Sequence, residues 1–544
     1  MKKYTTHVIL FLIIIASLYF RVHNLQVFPP LDVDEYGIAY EGFSIATIGK
    51  DSWGETLPIF FRSFGDYKLP IDIYLSALFF KIFEPSSFWL RLPSVIFSVL
   101  YIPTIFILVR KLLKNDLYAL LSAILISILP HNFYFSRIIS GSISASYLIF
   151  SSLTFFIIAL KSTSKFKYIL ISIILLSFSL YAYPLSWIVS PLLIVSYAIV
   201  LKATKNLKYF PIFLIFAIFL IPIVLQFFAG GSSVRINNKS AFDINRGLFI
   251  EIGELRQAGE NDLLAKTFHN KGTTFAYIFL DSYLKHFNLQ YLSFNRSDPN
   301  IQTPPTSPIF ITLVPFYFIG IFLLIRKFKK PEYFVILSLL LIAPLPSVIT
   351  EGAVNAKRYL SSMGIEILLI IYALNYLNFH RKKILSVSLM VIFFIELSLF
   401  LKFFFIDHKN ESLLKMSVKP RIIQELASKY WPENNLIYTT SQLGEPQIYP
   451  LVGAWYLPEK YLKGKIVENR DNWYYIKPFN GLFYTENMEE INTYLLKNSD
   501  YSGFAVFNYE ELSNLNKNIC FKKINSLPSE DVVYTTIKIE PCLQ

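Results

Sequence analysis

The sequence predicts a mainly α-helical protein that crosses the membrane many times and carries a small extracytoplasmic α/β domain at its C-terminus. Hydrophobic residues make up 54% of the 544-residue chain and charged residues only 16%, whereas a soluble domain carries about 25% charge. Long apolar runs recur from the N-terminus to the region of residue 404. Beyond that region, short helix-like and strand-like segments alternate.

The apolar runs define the predicted membrane spans. A helical span needs about 17–25 residues. Eleven runs come close to or reach this length: 5–20, 91–109, 117–135, 142–160, 168–184, 185–201, 209–228, 308–325, 333–349, 359–378 and 384–404. The first run resembles the core of a signal peptide, but no A-x-A cleavage site follows it. We therefore expect it to remain as an uncleaved anchor.

Basic residues in the short loops predict the orientation in the cell (cytoplasmic) membrane, because Lys and Arg are enriched on the cytoplasmic side. One alternating set of loops carries eighteen basic residues against two acids, Asp116 and Glu332. These basic residues are Lys2, Lys3, Arg110, Lys111, Lys114, Lys161, Lys165, Lys167, Lys202, Lys205, Lys208, Arg326, Lys327, Lys329, Lys330, Arg381, Lys382 and Lys383. The prediction places the N-terminus in the cytoplasm and the C-terminal domain outside.

One further apolar run, Leu69–Phe83, is short and contains Asp72 and Lys81. If this run crossed the bilayer, every later basic loop would face outward. We therefore predict an interfacial or re-entrant helix.

The predicted topology gives two domains. Residues 1–404 form a membrane domain with outward loops at 21–90 and 229–307, and residues 405–544 form the extracytoplasmic domain. In the latter, apolar periodicity predicts two helices and three strands. They are Arg421–Tyr430, Met488–Lys497, Leu436–Thr440, Gly503–Asn508 and Val532–Ile539. No glycine-rich phosphate loop occurs there, and the pairing state of Cys520 and Cys542 stays open.

The net charge of +13 does not indicate a nucleic-acid partner, because most basic residues lie in short clusters between apolar runs. The expected surroundings of the chain are membrane lipids.

The first outward loop contains the residues best suited to chemistry. Asp34 and Glu35 follow the first span, and Arg62, Asp66 and Lys68 precede the short apolar run. Two acids in the first turn of a helix also stabilise the helix dipole, so a purely structural role is the alternative. A lipid-phosphate substrate, however, needs both a base and a phosphate-binding cation close to the membrane surface, and this loop supplies both.

Four segments resemble the GT-C glycosyltransferases, and within them the family 39-like group of protein O-mannosyltransferases and lipid A aminoarabinose transferases. The segments match that group's acidic pair, its lysine–proline stretch with the RLPS signature, its aromatic–arginine segment and a later basic segment. They read DEYGIAYEGFSIATIGKD (34–51), GDYKLPIDIYLSALFFKIFEPSSFWLRLPSVIFSVL (65–100), LPHNFYFSR (129–137) and PSVITEGAVNAKRYL (346–360). The resemblance is strongest over about the first 140 residues.

The resemblance implies that a sugar moves from a polyprenyl-phosphate donor to an acceptor on the outer face, in one inverting displacement. Asp34 matches the catalytic aspartate of the family and would be the general base. Glu35 would orient the acceptor or tune Asp34, because adjacent carboxylates can raise one pKa.

The same resemblance suggests the substrate-binding residues. Lys68 is the best candidate for the donor phosphate, because it offers a compact point charge. Asp66 and Tyr67 lie beside it, and Arg137 and Arg358 are further candidates at the outer ends of spans. No metal cluster is evident, although an acidic pair beside a phosphate can recruit a divalent cation.

Several alternatives stay open. The segment SRIISGSIS lacks the second aspartate that protein mannosyltransferases usually carry, so the acceptor can be a glycan, a lipid or a protein, through a hydroxyl, an amine or a phosphate. A flippase or transporter of lipid-linked sugars would show internal repeats and midplane charges, which the sequence does not suggest. A polysaccharide ligase is the remaining alternative. Neither the sugar nor the carrier lipid can be predicted.

Two acids, Glu366 and Glu396, lie inside predicted spans. Intramembrane acids are functional candidates by default, and we weigh a structural role equally because both lie toward the outer ends.

Overall fold

The structure is a computed structural model that describes most of the chain. The described residues are 3–63, 66–228, 252, 254, 256–258, 263–294, 307–351, 354–378, 381, 383–440, 443, 445–470, 473–498, 502–528 and 533–540.

Up to residue 402, the described elements are helices except for one short hairpin. In chain order they are α1 (Lys3–Val22), α2 (Val33–Ile48), β1 (Phe61–Ser63), β2 (Asp66–Lys68), α3 (Pro70–Ile82), α4 (Ser87–Leu113), α5 (Asp116–Ile128), α6 (Pro130–Phe135), α7 (Ser142–Leu160), α8 (Lys165–Ser179), α9 (Ser186–Ala203), α10 (Phe213–Phe228), α11 (Leu263–Phe268), α12 (Lys271–Lys285), α13 (Leu289–Phe294), α14 (Val314–Arg326), α15 (Pro331–Ile342), α16 (Leu345–Glu351), α17 (Ala356–Tyr359), α18 (Met363–Tyr376) and α19 (Lys383–Lys402).

The tail combines helices and strands. Its elements are α20 (His408–Lys415), α21 (Val418–Tyr430), β3 (Asn435–Thr439), α22 (Ile448–Gly453), α23 (Pro458–Gly464), β4 (Val467–Arg470), β5 (Trp473–Ile476), β6 (Leu482–Thr485), α24 (Met488–Lys497), β7 (Gly503–Asn508), α25 (Tyr509–Ser513), β8 (Phe521–Pro528) and β9 (Val533–Ile539).

The apolar helices confirm a polytopic membrane protein. Within the described residues, eight helical segments are long and apolar enough to cross a bilayer: Tyr4–Val22, Ser87–Leu113, Ser142–Leu160, Ser186–Ala203, Leu207–Gln226, Pro331–Ile349, Ala356–Tyr376 and Lys383–Lys415. Two shorter apolar helices, Asp116–Ile128 and Ile311–Arg326, coincide with two more predicted spans. The remaining predicted span falls on α8, which has 15 residues. The number of crossings and their orientation stay predictions.

The chain divides into two compact units. We call Met1–His23 with Ser94–Phe400 the membrane unit, and Asn24–Pro93 with Leu401–Gln544 the loop–tail unit. The division at Phe400 lies close to the predicted boundary at residue 404. The two units differ from the two predicted domains in one respect. The first outward loop belongs to the same unit as the tail rather than to the membrane unit.

Hydrogen bonds between small polar side chains connect helices of the membrane unit. The hydroxyl of Ser152 on α7 lies 3.0 Å from that of Ser172 on α8 and 3.1 Å from that of Tyr197 on α9. Helix packing within lipid depends on close contact and on hydrogen bonds of this kind, because burial from water contributes little there.

Both intramembrane acids have partners inside the membrane unit. The Glu396 carboxylate accepts hydrogen bonds from the backbone N–H groups of Ile311 (2.5 Å) and Thr312 (3.2 Å), and from the Thr312 hydroxyl. It therefore caps the start of the helical run that continues into α14, where N–H groups lack intrahelical partners. Glu366 is buried and accepts a hydrogen bond of 2.7 Å from Ser362. A structural role accounts for the position of Glu396.

The tail forms a mixed five-stranded sheet in the order β6-β3-β7-β9-β8. Strand β3 pairs in parallel with β6 and β7, whereas β9 is antiparallel to β7 and β8. Apolar residues of α24 and the strands form one core, which includes Ile437, Ile491 and Phe507. All five segments predicted from periodicity coincide with elements of this domain, within three residues at each end.

Strands β6 and β8 were not predicted. β6 has only four residues, and β8 is an edge strand whose Lys, Asn and Ser side chains face solvent. Neither has the apolar alternation from which a half-buried strand is recognised. Cys520 takes part in a disulfide, and Cys542 lies outside the described residues.

Candidate active site

Helix α2 carries the acidic pair, and its first turn is fixed by a capping box. The Asp32 carboxylate accepts a hydrogen bond of 2.7 Å from the backbone N–H of Glu35, and the Glu35 carboxylate accepts one of 3.1 Å from the N–H of Asp32. This reciprocal arrangement satisfies N–H groups that the helix leaves open. It fixes the backbone that carries Asp34.

Glu35 also forms a buried ion pair with Arg91. Nε of Arg91 lies 2.7 Å from one carboxylate oxygen of Glu35, and Nη2 lies 2.6 Å from the other, with both side chains fully buried. Nη1 of Arg91 donates to the backbone carbonyls of Leu25 and Pro29. Arg91 begins the RLPS signature, so two motifs that are distant in sequence meet here. The predicted effect of Glu35 on the acceptor or on Asp34 stays a prediction, and the structure adds a positioning role.

The backbone of Asp34 and the ammonium of Lys68 lie next to each other in the loop–tail unit, and we call this place the corner. The Asp34 side chain is exposed, and its backbone carbonyl accepts a hydrogen bond of 3.2 Å from Nζ of Lys68. Lys68 reaches this position because Gly37 has no side chain, since a Cβ there would overlap Nζ. Among the described residues the ammonium makes this one hydrogen bond, so two N–H groups remain for a ligand.

A short hairpin presents Lys68. Strands β1 and β2 are antiparallel and pair Phe61 with Lys68, Arg62 with Tyr67, and Ser63 with Asp66. Tyr67 is half-buried and makes an edge contact with Phe60, at 6.5 Å between ring centroids. The backbone of Asp66 belongs to β2, whereas its side chain lies outside the described structure. Three of the predicted substrate residues, Asp66, Tyr67 and Lys68, thus make up strand β2 of the hairpin.

A polar cavity adjoins Lys68, and we call it the Lys68 cavity. Its empty volume is about 340 Å3, counting the space open to solvent. Residues of the first loop and of the tail line it: Gly37, Glu41, Ser52, Trp53, Arg62, Ser63, Lys68, Glu445, Gln447 and Tyr461. The tail therefore contributes directly to the walls of a space that begins at the predicted phosphate-binding lysine.

Burial shifts the ionisation of two groups at this cavity. The Glu41 carboxylate accepts hydrogen bonds from the Ser52 hydroxyl (2.5 Å) and backbone N–H (2.9 Å). Burial raises the pKa of Glu41 to about 7, although the Ser52 hydrogen bonds act in the opposite direction. Lys465 donates to the Ser52 carbonyl, and burial lowers the pKa of Lys465 to about 8 against the effect of nearby acids. Both groups therefore change charge near neutral pH.

Tail residues also form hydrogen bonds with side chains of α2. The Tyr36 hydroxyl donates to Oε1 of Gln424 at 2.7 Å, and the Tyr40 hydroxyl donates to the carbonyl of Tyr456 at 3.0 Å. These partners lie about 400 residues from α2 in the sequence, and no local motif marks them. Sequence reasoning therefore missed the contribution of the tail to this site, and Glu41 and Arg91 with it.

The two remaining predicted arginines belong to the membrane unit. Arg137 is fully buried and donates to the carbonyls of Phe20, Arg21 and His23 at the end of α1. Arg358 lies in α17, and its backbone N–H donates to the Asn355 side chain. The contacts of Arg137 give it a helix-capping role, and phosphate binding by either arginine stays a prediction. Within the described residues, no group of three or more His, Cys, Asp or Glu is arranged to hold a metal ion.

The fold and this site define a polytopic membrane protein with an acid and a lysine together on its first loop. Residues 68–226 match the family described as dolichyl-phosphate-mannose-protein mannosyltransferase. No curated protein is significantly similar in sequence.

Solved structures of two proteins are similar to this chain. The oligosaccharyltransferase of Archaeoglobus fulgidus, tethered to an acceptor peptide containing the NVT sequon, is 14% identical, and the match covers 94% of this chain and 70% of that one at a TM-score of 0.50. The same protein in complex with an inhibitory peptide and a dolichol-phosphate is 14% identical, and the match covers 82% of this chain and 63% of that one at a TM-score of 0.49. ArnT from Cupriavidus metallidurans in the apo state is 11% identical, and the match covers 97% of each chain at a TM-score of 0.49. In two of the archaeal structures, this chain covers only about three-fifths of the other chain.

These findings confirm the predicted resemblance. The match over residues 68–226 agrees with the predicted resemblance to protein mannosyltransferases, and the similarity to the tethered archaeal structure is a similarity of fold.

Proposed function

We propose that the protein transfers a sugar from a polyprenyl-phosphate donor to an acceptor group at the outer membrane face, with inversion at the anomeric carbon. The observation that carries this proposal is that Nζ of Lys68, on β2, donates to the backbone carbonyl of Asp34, on α2, at 3.2 Å, while the side chain of Asp34 is exposed. The family match to a dolichyl-phosphate-mannose-dependent enzyme supports the same class of donor.

Lys68 binds the donor phosphate in this mechanism. Transfer releases a phosphate that is already anionic, so the leaving group needs a cation rather than a general acid. Lys68 offers two N–H groups beyond its bond to the Asp34 carbonyl, and the overlying backbone at Gly37 leaves room for it. A charge-assisted hydrogen bond of this kind is short and strong.

Asp34 is the general base that accepts the proton of the acceptor hydroxyl as that oxygen attacks the anomeric carbon. The sugar–oxygen bond to phosphate breaks in the same step, and the polyprenyl phosphate leaves with its charge held at Lys68. Asp34 suits this role because its carboxylate is exposed while the capping box and the Glu35–Arg91 pair fix its backbone. Glu35 is a positioning residue in this account.

The direct test is incorporation of labelled sugar from a polyprenyl-phosphate-linked mannose by the full chain in lipid vesicles. Asp34→Ala and Lys68→Ala are expected to lose transfer. Glu84→Gln and Lys81→Ala are matched controls, because both remove an exposed charge of the same unit away from the corner, and both are expected to retain transfer. Full activity of Asp34→Ala would remove Asp34 as the base.

The same vesicles test the competing transporter function. Movement of the labelled donor across the bilayer without transfer, unaffected by Asp34→Ala, would favour a flippase. Orientation is tested separately by labelling Glu84→Cys from one side of intact cells. We expect labelling from outside, and labelling only from the cytoplasm would overturn the topology.

A further inference from the structure

Helix α12, in the predicted outward loop 229–307, presents an exposed apolar face. Tyr277, Leu280 and Leu284 lie on one side of this helix, because side chains three, four and seven positions apart share a helix face. Their exposed fractions are 72%, 55% and 61%. We call these three side chains the α12 face. Adjacent exposed apolar side chains of this kind indicate a surface that contacts a membrane or another protein.

A different side of α12 packs within the membrane unit. Ser282 and the adjoining His286 are buried, and the ring centroid of His286 lies 4.9 Å from that of Tyr359. Tyr359 lies near the start of the helical segment Ala356–Tyr376, and α12 also packs against α16, at the end of the segment Pro331–Ile349. Both segments are long and apolar enough to cross a bilayer. Helix α12 therefore lies where two predicted spans approach the same membrane surface.

One hydrogen bond places α12 beside these spans rather than above their ends. The hydroxyl of Tyr283 donates to the backbone carbonyl of Leu341 at 2.7 Å. Leu341 lies near the middle of the 19-residue segment Pro331–Ile349, and its own side chain is exposed. Because the middle of a span lies within the hydrocarbon of the bilayer, the Tyr283 side of α12 reaches to that depth.

The charged residues of α12 lie on the opposite flank. Asp281 and Lys285 form an ion pair of 2.5 Å, and each is two positions from Tyr283 in the sequence. At 3.6 residues per turn, about 160° of the helix circumference separates each of them from Tyr283. The helix thus has one flank suited to headgroups and water, and another that reaches toward the hydrocarbon.

A row of aromatic rings runs along the Tyr283 side of the segment. Phe275, Phe279, Tyr283 and Phe287 follow one another at four-residue spacing, with ring centroids 6.2, 6.2 and 5.7 Å apart. Aromatic rings are enriched at the interface of membrane and water. With 15 residues, α12 is shorter than a span requires, so its apolar surface fits an orientation along the membrane plane.

We infer that α12 lies in the plane of the membrane, with the α12 face among lipids at the boundary of headgroups and acyl chains. The leaflet is the one opposite the basic loops, which is the outer leaflet in the predicted orientation. The partner of this surface is the lipid bilayer rather than a second protein. The inference is independent of the mechanism at Asp34 and Lys68, because every residue that carries it belongs to the membrane unit.

Fluorescence quenching in nanodiscs, where water reaches both membrane faces, tests the inference. The full chain is labelled with an environment-sensitive fluorophore at Leu280→Cys, and protein without an introduced cysteine gives the background. Val391→Cys, exposed on the long apolar segment Lys383–Lys415, is the control for lipid contact. Lys329→Cys, exposed in a basic loop, is the control for contact with water. The quenchers are a phospholipid with a nitroxide on its acyl chain and iodide in the buffer.

We expect the label at position 280 to lose as much fluorescence to the nitroxide lipid as the label at position 391, with a blue-shifted emission and no loss to iodide. The label at position 329 is expected to respond to iodide alone. Leu284→Cys gives a second reading of the same face and is expected to match position 280.

Two results would overturn the inference. Quenching of both α12 positions by iodide alone would place the α12 face in water. A blue-shifted emission that neither quencher reduces would show that protein, such as a second copy of this chain, covers the face instead of lipid.

Discussion

Gly37 matters at the residue scale because it decides where the Lys68 ammonium lies. The helix does not need a glycine at this position, since α2 continues without a break from Val33 to Ile48. The glycine is required instead by the close approach of the Lys68 Nζ, because a Cβ at position 37 would occupy the place of the ammonium. A residue with no functional group thus controls the distance between the phosphate-binding cation and the base.

Substituting Gly37→Ala tests this control. Alanine favours a helix interior by about 1 kcal/mol over glycine, and Lys68 can swing away because its end is flexible. We therefore expect an unchanged or raised melting temperature, together with a KM for the donor that rises by tenfold or more. A variant with wild-type KM would show that the position of Lys68 over Gly37 is unimportant.

Glu41 makes stability depend on pH. Its pKa of about 7 in the folded protein lies above the usual 4.5, so the folded state binds this proton more tightly than the unfolded chain does. Its favourable contribution is complete below pH 4.5 and is lost as the pH rises to about 7, by up to about 3 kcal/mol.

The variant Glu41→Gln keeps the shape and removes this titration. We expect the variant to gain melting temperature relative to wild type between pH 4.5 and 7, and the difference to level off above pH 7. The Lys465 ammonium has a pKa of about 8, which the Glu41 charge helps to raise, so the change between pH 4.5 and 7 is the part of the difference that reports Glu41 itself. Thermal unfolding across pH 4–9 measures this, and a constant difference over that range would contradict the buried, proton-holding carboxylate.

At the scale of elements, the start of α4 fixes the start of α2. The fully buried Arg91–Glu35 pair and the two carbonyl bonds of Arg91 join the N-terminal part of α4, the segment around Leu25–Pro29 and the first turn of α2. This arrangement gives a physical reason why an acidic pair and an RLPS signature occur together in one chain. Neither residue needs to contact substrate for its loss to abolish activity.

Removing one partner of this pair leaves a buried charge. Arg91→Ala is expected to cost about 3–5 kcal/mol, measured as a fall in melting temperature with loss of activity. The double variant Glu35→Gln with Arg91→Met is expected to recover part of that stability, because no charge is then left unpaired. Lys429→Ala, which breaks an exposed pair with Glu425, is expected to leave the melting temperature unchanged. Wild-type stability of Arg91→Ala would contradict the positioning role.

At the scale of the whole molecule, the sequence predicts what depends on local pattern. Apolar runs predict the membrane helices, and periodicity predicts the main helices and strands of the tail. The corner of Asp34 and Lys68 is also predictable, because both residues lie in recognisable motifs. The tail side of the site is not predictable in this way, since Gln424, Glu445 and Tyr461 meet α2 only through folding. Their side chains are ordinary for a polar surface, and the first loop alone does not indicate that a second segment completes its cavity.

Single-turnover transfer by Asp34→Asn shows whether Asp34 is the base for sugar transfer. The variant keeps the size and the helix position of the side chain but cannot accept the proton. With donor binding and melting temperature verified as wild type, this role predicts a fall in the transfer rate of about 100- to 10,000-fold. A rate within a fewfold of wild type would contradict it.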